Sequence, residues 1–260
     1  MVFDNRLLTF MNQMADEAGA IARRYFRMSF SVVTKQDASP VTIADKEIER
    51  TLRAMIEREF PEHGIIGEEE GNIRPDAEYQ WVIDPIDGTR SFISGMLTFT
   101  TLIALTKNGV PIAGIINQPI TNERWFGAQG EVSLLNHIPI LAKLNNKLSA
   151  ANISTTSYYH FSAVQSASFE MLRKSCANVT LGGDAYTYAL LASGHVDIVV
   201  DVSMKPYDYS ALVPVIEGAG GIITDWQGKK LDLHSDGTVL ACANQSLHTQ
   251  ALAILTADKA

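Results

Sequence analysis

Two aspartates stand three positions apart where an apolar run of the sequence ends. The run begins at Trp81, the acids are Asp84 and Asp87, and the step Gly88-Thr89 follows. Two carboxylates so closely spaced at the end of a buried strand can share one divalent cation or bridge two, and oxygen ligands suit a hard cation such as magnesium. Glycine allows a tight turn, and a helix begun after it presents N–H groups to an anion. The stretch therefore predicts phosphate chemistry supported by metal ions.

Two further carboxylates stand at the ends of other apolar segments, Glu68 upstream and Asp208 far downstream. A single acid at such a position is more often a helix cap or a surface group. Four of them brought together would repel one another and raise one another's pKa values. Bound metal ions remove that cost, so the four acids are candidate metal ligands if the fold gathers them.

Three ordered motifs carry a resemblance to a known family. They are Gly67-Glu68-Glu69, the run from Asp84 to Thr89, and Lys205-Pro206-Tyr207-Asp208-Tyr209 leading into residues 217–221. These motifs resemble the signatures of the inositol monophosphatase-like family of magnesium-dependent phosphatases, and the resemblance covers nearly the whole chain. It implies a mixed α+β or α/β fold, a layered α-β-α-β-α sandwich of the sugar-phosphatase type with the active site between two lobes.

The two expected lobes divide the chain near its middle. Residues 1–145 would form an α+β lobe that carries the first metal motifs. Residues 146–260 would form an α/β lobe that carries Asp208 and a segment for substrate specificity.

The resemblance also implies a ligand set for magnesium ions, about two to three in each site. Glu68, Asp84 and the backbone carbonyl of Ile86 would hold the first ion. Asp84, Asp87 and Asp208 would hold the second, and Glu68 would help to hold a third, looser ion through waters. The implied reaction is direct attack of a metal-bound water on a phosphate monoester, with no covalent intermediate.

Further roles follow from the same resemblance. Asp45 matches the carboxylate that pairs with Thr89 to orient the nucleophilic water, and Glu68 shares this catalytic role. Gly88 and Thr89 would donate backbone N–H groups to the phosphate, and Asp87 would also border the substrate. The residues alone leave Asp45 open, because an acid in the first turn of a helix is also favourable for the helix dipole.

Several segments resemble the histidinol-phosphate phosphatase branch of this family. They are residues 35–42, residues 90–95, residues 182–194 and the run from residue 200 to residue 208. Inositol-selective members typically have tryptophan before the last metal aspartate, where this chain has Tyr207. The resemblance therefore favours L-histidinol phosphate as the substrate, and with it a place in histidine biosynthesis.

A charge argument points to the same substrate, because histidinol phosphate carries a primary ammonium group. Asp184 and Asp201 would lie where the family contacts its substrate. One close pair of opposite charges gains roughly 4 kcal/mol at an effective dielectric constant near 20, before desolvation is subtracted. The alternatives are that Asp184 is a helix N-cap and that Asp201 is a surface charge at the end of a strand.

Rival functions stay open. The first is an inositol-1-phosphate phosphatase or a phosphatase of broad sugar-phosphate specificity. A bisphosphate nucleotidase is disfavoured, because no extra basic cluster is present for a second phosphate. A binding partner in transcription complexes is also disfavoured, because such a protein need not keep Asp45, Thr89 and the four metal acids together. The family resemblance further implies a homodimer and inhibition by lithium, which could replace a loosely held magnesium.

Composition limits the partners. The chain is 46% hydrophobic and 19% charged, as in soluble globular proteins. Its net charge of −8 argues against nucleic acid, because phosphate backbones attract basic surfaces. No apolar run approaches the roughly 20 residues of a membrane span, and the polar N-terminus does not resemble a secretory signal. We expect a cytoplasmic enzyme that acts on a small phosphorylated substrate.

The apolar pattern predicts the elements that must position these residues. Helical spacing predicts a first helix over residues 4–27 and a second that begins near Thr42, with a loop over residues 35–40 between them. Asn108-Gly109 between two β-rich runs predicts a hairpin. Strands and helices then alternate, as in an α/β layer. The remaining predictions are one helix over residues 208–218 and a poorly patterned connection between the lobes over residues 131–150.

Overall fold

The computed structural model describes residues 4–28, 32–34 and 40–257. Most of the predicted loop over residues 35–40, and of the histidinol-phosphatase-like segment that contains it, lies outside this part of the chain. The described elements are, in order, α1 (Asn5–Tyr25), β1 (Val32–Thr34), β2 (Pro40–Thr42), α2 (Ile43–Glu59), β3 (Gly64–Gly67), β4 (Tyr79–Asp87), α3 (Thr89–Ile93), β5 (Thr100–Lys107), β6 (Val110–Gln118), β7 (Glu123–Ala128), β8 (Leu134–Leu135), β9 (Ile138–Pro139), β10 (Asn152–Thr155), α4 (Ala163–Lys174), β11 (Asn178–Leu181), α5 (Asp184–Ala192), β12 (Ile198–Asp201), α6 (Pro206–Tyr209), α7 (Leu212–Gly218), β13 (Ile222–Thr224), β14 (Val239–Cys242) and α8 (Gln245–Leu255). Short 3-10 turns cover Leu148–Ala150 and Tyr158–His160.

Helices α1 and α2 pack together on one face of the larger sheet. The carboxylate of Asp4 caps α1 by accepting a hydrogen bond from a backbone N–H of the first turn at 2.8 Å. As predicted, α2 begins after Thr42, which forms a reciprocal capping box with Asp45. The apolar stripes of the two helices, including the fully buried Met14 and Leu52, form one core with this sheet.

The larger sheet has the strand order β3-β4-β5-β6-β7-β8-β9. Strands β3 and β4 run parallel, and the other neighbouring strands are antiparallel. The predicted hairpin is confirmed, since β5 and β6 are joined by Asn108 and Gly109 with φ of 50° and 79°. The poorly patterned residues 131–150 add β8 and β9 to this sheet. Because β4 lies between β3 and β5, most of its residues are buried, up to Ile86.

The second sheet has the strand order β11-β10-β12-β14-β13. Strands β11, β10 and β12 are parallel, as the alternating pattern of the second half predicts, and β14 and β13 complete the sheet in antiparallel fashion. Helices α4 and α8 cover one face of it through a core that includes Phe169 and Leu247.

Helices α5 and α7 lie between the two sheets. They share one core with residues of both sheets, among them Val82 and Trp125 of the larger sheet and Val199 of the smaller one. Tyr188 of α5 and Leu212 of α7 lie in the same core. The layers therefore follow the order α1/α2, larger sheet, α5/α7, smaller sheet, α4/α8. The predicted α-β-α-β-α sandwich is confirmed.

The prediction of one helix over residues 208–218 was wrong. The chain forms two short helices there, α6 and α7, separated at residues 210–211. Pro214 has no N–H to donate to the carbonyl of Ser210, so a continuous helix would lack a hydrogen bond at this point. Within the described ranges, no helix is long and apolar enough to cross a membrane.

Candidate metal centre

The two aspartates of β4 reach the same side of the sheet because the strand contains a bulge. Side chains three positions apart on a regular strand point to opposite faces. Between Asp84 and Asp87 the pairing with β5 shifts, so that three steps along β4 match two along β5. The extra residue of a bulge re-aims the side chains that follow it. Thr101 donates a hydrogen bond to the carbonyl of Pro85 at 2.8 Å and holds the bulge in place.

Asp208 reaches these two aspartates from the other half of the chain. It lies in the single turn of α6, and its Oδ2 accepts a hydrogen bond from the backbone N–H of Lys205 at 2.6 Å. Carboxylate oxygens of Asp84, Asp87 and Asp208 lie within 4.8 Å of one another. The fold therefore brings together three of the four predicted metal acids.

The electrostatics of this group are unfavourable without a cation. Burial, together with neighbouring carboxylates, raises the pKa values of Asp84 and Asp87 well above the ordinary value. Burial raises the pKa of Asp208 to about 7. The Oδ1 atom of Asp84 is buried and has no hydrogen-bond partner. A set of carboxylate oxygens with an unpartnered buried oxygen fits a hard divalent cation.

Glu68, the fourth predicted metal acid, lies beside the three aspartates. It directly follows β3, whose last residue Gly67 pairs with Ile83 of β4. Glu68 lies outside the group of three aspartates but lines the same cavity. Its charge contributes to the raised pKa values of Asp84 and Asp208. The parallel pairing of β3 with β4 therefore positions Glu68.

Asp45 has the helix role that the sequence left open, and its catalytic role stays a prediction. Its Oδ2 accepts hydrogen bonds from the backbone N–H and the hydroxyl of Thr42, at 2.9 and 2.5 Å, and so caps α2. Its Oδ1 is buried without a partner. Burial raises the pKa of Asp45 to about 6, and the charge of Glu68 adds to the shift. One oxygen therefore caps the helix, and the other has no protein partner.

Thr89 and Asp45 are not hydrogen-bonded to each other in the described part of the chain. The Thr89 hydroxyl donates instead to the carbonyl of Ile86 at 3.1 Å, and Asp45 Oδ2 is held by Thr42. A carbonyl oxygen has two lone pairs, so Ile86 can still accept a second partner. Gly88 precedes α3 with φ of +78°, a conformation that glycine adopts without strain. The turn therefore brings the start of α3 to the carboxylates.

A cavity of about 420 Å³ contains this centre. It is lined by eight predicted residues, Glu68, Asp84, Ile86, Asp87, Gly88, Thr89, Asp184 and Asp208, together with Arg90, His160, Ser203, Lys205 and Tyr207. His160, Ser203 and Lys205 were not among the residues predicted from the sequence. Lys205 lies inside a recognised motif, so the sequence contained a signal that could have identified it. His160 had none, because its 3-10 turn is far from every motif along the chain.

A second cavity of about 190 Å³ adjoins the first. It shares Asp87, His160, Asp184, Ser203 and Asp208 with the first cavity and is also lined by Thr156, Ser157, Ala185, Tyr188, Asp201, Val202 and Met204. The centre thus opens into a compartment that has both polar and apolar walls.

Asp184 lies at the boundary between the two cavities. It is the first residue of α5 rather than its N-cap, which is Gly183. Its Oδ2 accepts a hydrogen bond from the hydroxyl of Ser91 at 2.7 Å, and burial raises its pKa. The next backbone N–H, of Ala185, donates to Asp87 at 2.7 Å. The start of α5 is therefore tied directly to the carboxylate group.

Asp201 is not the surface charge that the sequence left open as the alternative. It is buried and lines the second cavity, and its contact with substrate stays a prediction. Its oxygens accept hydrogen bonds from Tyr188, from Thr155, and from both the N–H and the hydroxyl of Thr156. A carboxylate has about four lone-pair directions, so these bonds use all of them. Asp201 orders the wall of the second cavity.

The layered fold and the acidic cavity together define a metal-dependent phosphatase. The chain belongs to the inositol monophosphatase family, whose family model matches residues 4–259.

Individual relatives carry two kinds of activity in their names. The chain is 46% identical over 250 residues to a bifunctional phosphatase, IMPL2, of Arabidopsis thaliana, a chloroplastic protein, covering 93% of this chain and 72% of that protein. It is 34% identical over 231 residues to a histidinol-phosphatase of Chlorobaculum parvum, covering 88% and 89%. The solved structure of an inositol monophosphatase from Zymomonas mobilis is 43% identical and superimposes with a TM-score of 0.91 over 98% of this chain and 99% of that one.

Proposed function

We propose that the protein is a magnesium-dependent histidinol-phosphate phosphatase, which converts L-histidinol phosphate and water to L-histidinol and phosphate. The observation that carries the proposal is the group of Asp84, Asp87 and Asp208, with its unpartnered buried oxygen, at the floor of a cavity beside a second compartment. The metal centre suits the phosphate, and the second compartment suits the alcohol that leaves.

The metal ligands in this proposal are oxygens from β4, from the residue that follows β3, and from α6. Asp84, Asp87, Asp208, Glu68 and the carbonyl of Ile86 would hold magnesium, two to three ions in all. Bound magnesium supplies positive charge to the phosphoryl oxygens and activates water for attack. The distances among the aspartate oxygens support shared ligation.

The protein's own groups orient the phosphate and the attacking water. The first N–H groups of α3, at Gly88 and Thr89, have no partner within the helix and would donate to the phosphate. Asp45 Oδ1 would accept the proton of the attacking water, and Thr89 would help to orient that water. A pKa of about 6 for Asp45 suits a general base near neutral pH.

The second compartment supports a substrate whose alcohol carries a cation. Asp184 borders both cavities, so its carboxylate would face the ammonium group of histidinol. Asp201 would act on the substrate indirectly, by positioning Tyr188. The hydroxyl of Tyr188 donates a hydrogen bond to Asp201 at 2.8 Å. The relative from Chlorobaculum parvum, named a histidinol-phosphatase, supports the same substrate.

Inositol-1-phosphate is the second candidate substrate. The similarity to the Zymomonas mobilis inositol monophosphatase at 43% identity favours it. Inositol carries only hydroxyl groups beyond its phosphate, so it could donate hydrogen bonds to Asp184 but could not form an ion pair with it.

Phosphate release from the two substrates, measured side by side with magnesium and then with EDTA, tests the proposal. We expect release from L-histidinol phosphate to exceed release from inositol-1-phosphate and to stop in EDTA. A preference for inositol-1-phosphate would overturn the substrate but leave the metal centre. Release that continues unchanged in EDTA would overturn the metal-dependent mechanism.

Other expectations from the sequence stay predictions. They are the division into lobes near residue 145, the homodimer, inhibition by lithium and a cytoplasmic location.

A further inference from the structure

A buried ion pair on α2 lies outside the cavity lining and has no role in the mechanism above. Glu49 is 0% exposed and Arg53 is 5% exposed. The Nε and Nη2 atoms of Arg53 lie 2.9 and 2.8 Å from Glu49 Oε1. Burying two charges has a large desolvation cost, and a buried pair is weak support for stability by itself.

The Glu49 carboxylate holds the backbone that carries Glu68. Its Oε2 accepts a hydrogen bond from the N–H of Glu69 at 2.8 Å, and its Oε1 accepts one from the N–H of Glu70 at 2.9 Å. Arg53 Nη2 donates to the carbonyl of Glu70 at 2.9 Å. The pair therefore binds the two residues that directly follow Glu68.

The residue before Glu68 is held against the same carboxylate. A Cβ atom added at Gly67 would lie 2.2 Å from Glu49 Oε1, well inside contact distance. Glycine at this position therefore lets the backbone lie directly on the carboxylate. Glu68 is restrained on both sides by one buried group.

The same helix also carries Asp45, one turn before Glu49. Asp45, Glu49 and Arg53 are spaced four residues apart, and all three are buried, so they share one face of α2. Asp45 directs its unpartnered oxygen into the buried interior, and Glu49 anchors the Glu68 loop. One rigid helix thus sets the position of Asp45 relative to Glu68.

We propose that Glu49, paired with Arg53, is a positioning residue that aims Glu68 at the metal centre and so sets the metal affinity. The inference rests on the proposed function, because it takes Glu68 as a metal ligand. Groups that orient metal ligands typically change metal affinity by about 10–100-fold when they are removed.

The test is the dissociation constant for Mn²⁺, as a probe for the magnesium sites, measured by isothermal titration calorimetry on folded protein. In Glu49→Gln, an amide NH₂ replaces one of the accepting oxygens, and the N–H that it faces loses its acceptor. We expect the dissociation constant to rise by about 10–100-fold. Excess metal should restore most of kcat, which general damage to the fold would not allow.

Asp197→Asn is the matched control. Asp197 is also a buried carboxylate that pairs with a basic side chain, Lys143 at 3.2 Å, and accepts a backbone N–H, from Asn152 at 2.8 Å. It directly precedes β12 of the smaller sheet and lines neither cavity. This variant should lower the melting temperature and leave Mn²⁺ binding unchanged.

The outcomes separate the inference from the proposed function. Unchanged Mn²⁺ affinity in Glu49→Gln, beside tight binding by the original protein, overturns the inference alone. Failure of the original protein to bind Mn²⁺ overturns the proposed function as well. If Glu49→Gln does not fold, Arg53→Lys replaces it as the test variant. Lysine keeps the charge and loses the fork that joins Glu49 to Glu70, so a smaller rise of the dissociation constant is expected and no rise overturns the inference.

Discussion

At the scale of single residues, Asp184 joins two parts of the site that lie far apart in the sequence. Its side chain accepts a hydrogen bond from Ser91, 93 positions earlier, and lies over Gly88. It borders both the cavity with the metal acids and the adjoining compartment. The position suits a carboxylate that selects the alcohol part of the substrate.

Replacement of Asp184 by asparagine should affect the two candidate substrates differently. We expect Asp184→Asn to raise KM for L-histidinol phosphate by about tenfold, which corresponds to ~1.4 kcal/mol, because the ammonium group loses its counter-charge. KM for inositol-1-phosphate should change little, since inositol is uncharged beyond its phosphate. Steady-state kinetics on both substrates measures the difference.

Ser91→Ala is the control for this prediction. It removes the hydrogen bond to Asp184 and keeps the charge, so it should leave substrate preference intact. Equal losses for both substrates in Asp184→Asn would contradict a role in charge recognition.

At the scale of elements, the junction between β4 and α3 decides whether the phosphate site exists. The strand must end in a bulge that aligns two carboxylates, and the helix must begin within a few residues. Gly88 meets the second demand with φ of +78°. An added Cβ there would lie 2.6 Å from Asp184 Oδ2. The absence of a side chain at Gly88 therefore leaves room for the Asp184 carboxylate.

Two effects should therefore destabilise Gly88→Ala, the strained backbone conformation and the contact with Asp184. A left-handed conformation costs an L-residue about 1–2 kcal/mol, and the contact with Asp184 adds to this cost. We expect a lower free energy of unfolding in urea and a larger loss of phosphatase activity than the loss of stability alone explains.

Gly130→Ala provides the comparison. Gly130 has nearly the same φ, +81°, and nothing within 4 Å of an added Cβ. It should show the backbone cost alone and retain activity. If the two variants lose equal stability and both stay active, the contact with Asp184 is unimportant.

At the scale of the whole molecule, the two sheets and the helices between them hold like charges together. Asp84 and Asp87 come from the larger sheet, and Asp208 comes from α6, which follows the smaller sheet's β12. Packing of α5 and α7 between the two sheets determines how far apart the sheets lie. The burial that gathers the carboxylates also raises their pKa values, so folding and metal binding are linked.

Stability without metal should depend on pH through these carboxylates. Burial raises the pKa of Asp208 from 3.8 to about 7 and raises those of Asp84 and Asp87 in the same direction. A carboxyl with a raised folded-state pKa stabilises the fold below its unfolded pKa, and this contribution is lost as pH rises through the folded value. In EDTA, the free energy of unfolding should therefore fall from about pH 4 to about pH 7. With magnesium, most of this decrease in the free energy of unfolding should disappear, because bound cations neutralise the carboxylates in place of protons.

His248 has the opposite pH dependence and must be separated from this effect. It is buried against Thr224 at 2.8 Å, and burial lowers its pKa from 6.5. Its contribution to stability is therefore lost as pH falls. The contribution of His248 is the same in both buffers. The free energy of unfolding from urea denaturation in magnesium, minus the value in EDTA, therefore reports the contribution of the carboxylates alone. Parallel curves in the two buffers would contradict the prediction.

Local interactions explain what the sequence by itself determined about this protein. The capping box at Thr42, the hairpin at Asn108-Gly109 and the apolar strand that ends at Asp84 depend on neighbours within a few positions, and the structure contains all three. The alternation of strand and helix predicted the α/β second half for the same reason. The motifs also predicted the three acids that the fold brings together, Asp84, Asp87 and Asp208.

Tertiary structure alone decided the features that depend on distant partners. Periodicity cannot reveal that a bulge aligns Asp84 with Asp87, since cross-strand register is set by β5. It cannot reveal that Asp201 is saturated by donors from three other residues, or that His160 reaches the cavity. These properties belong to contacts between segments far apart in the chain, which only the packed layers bring together.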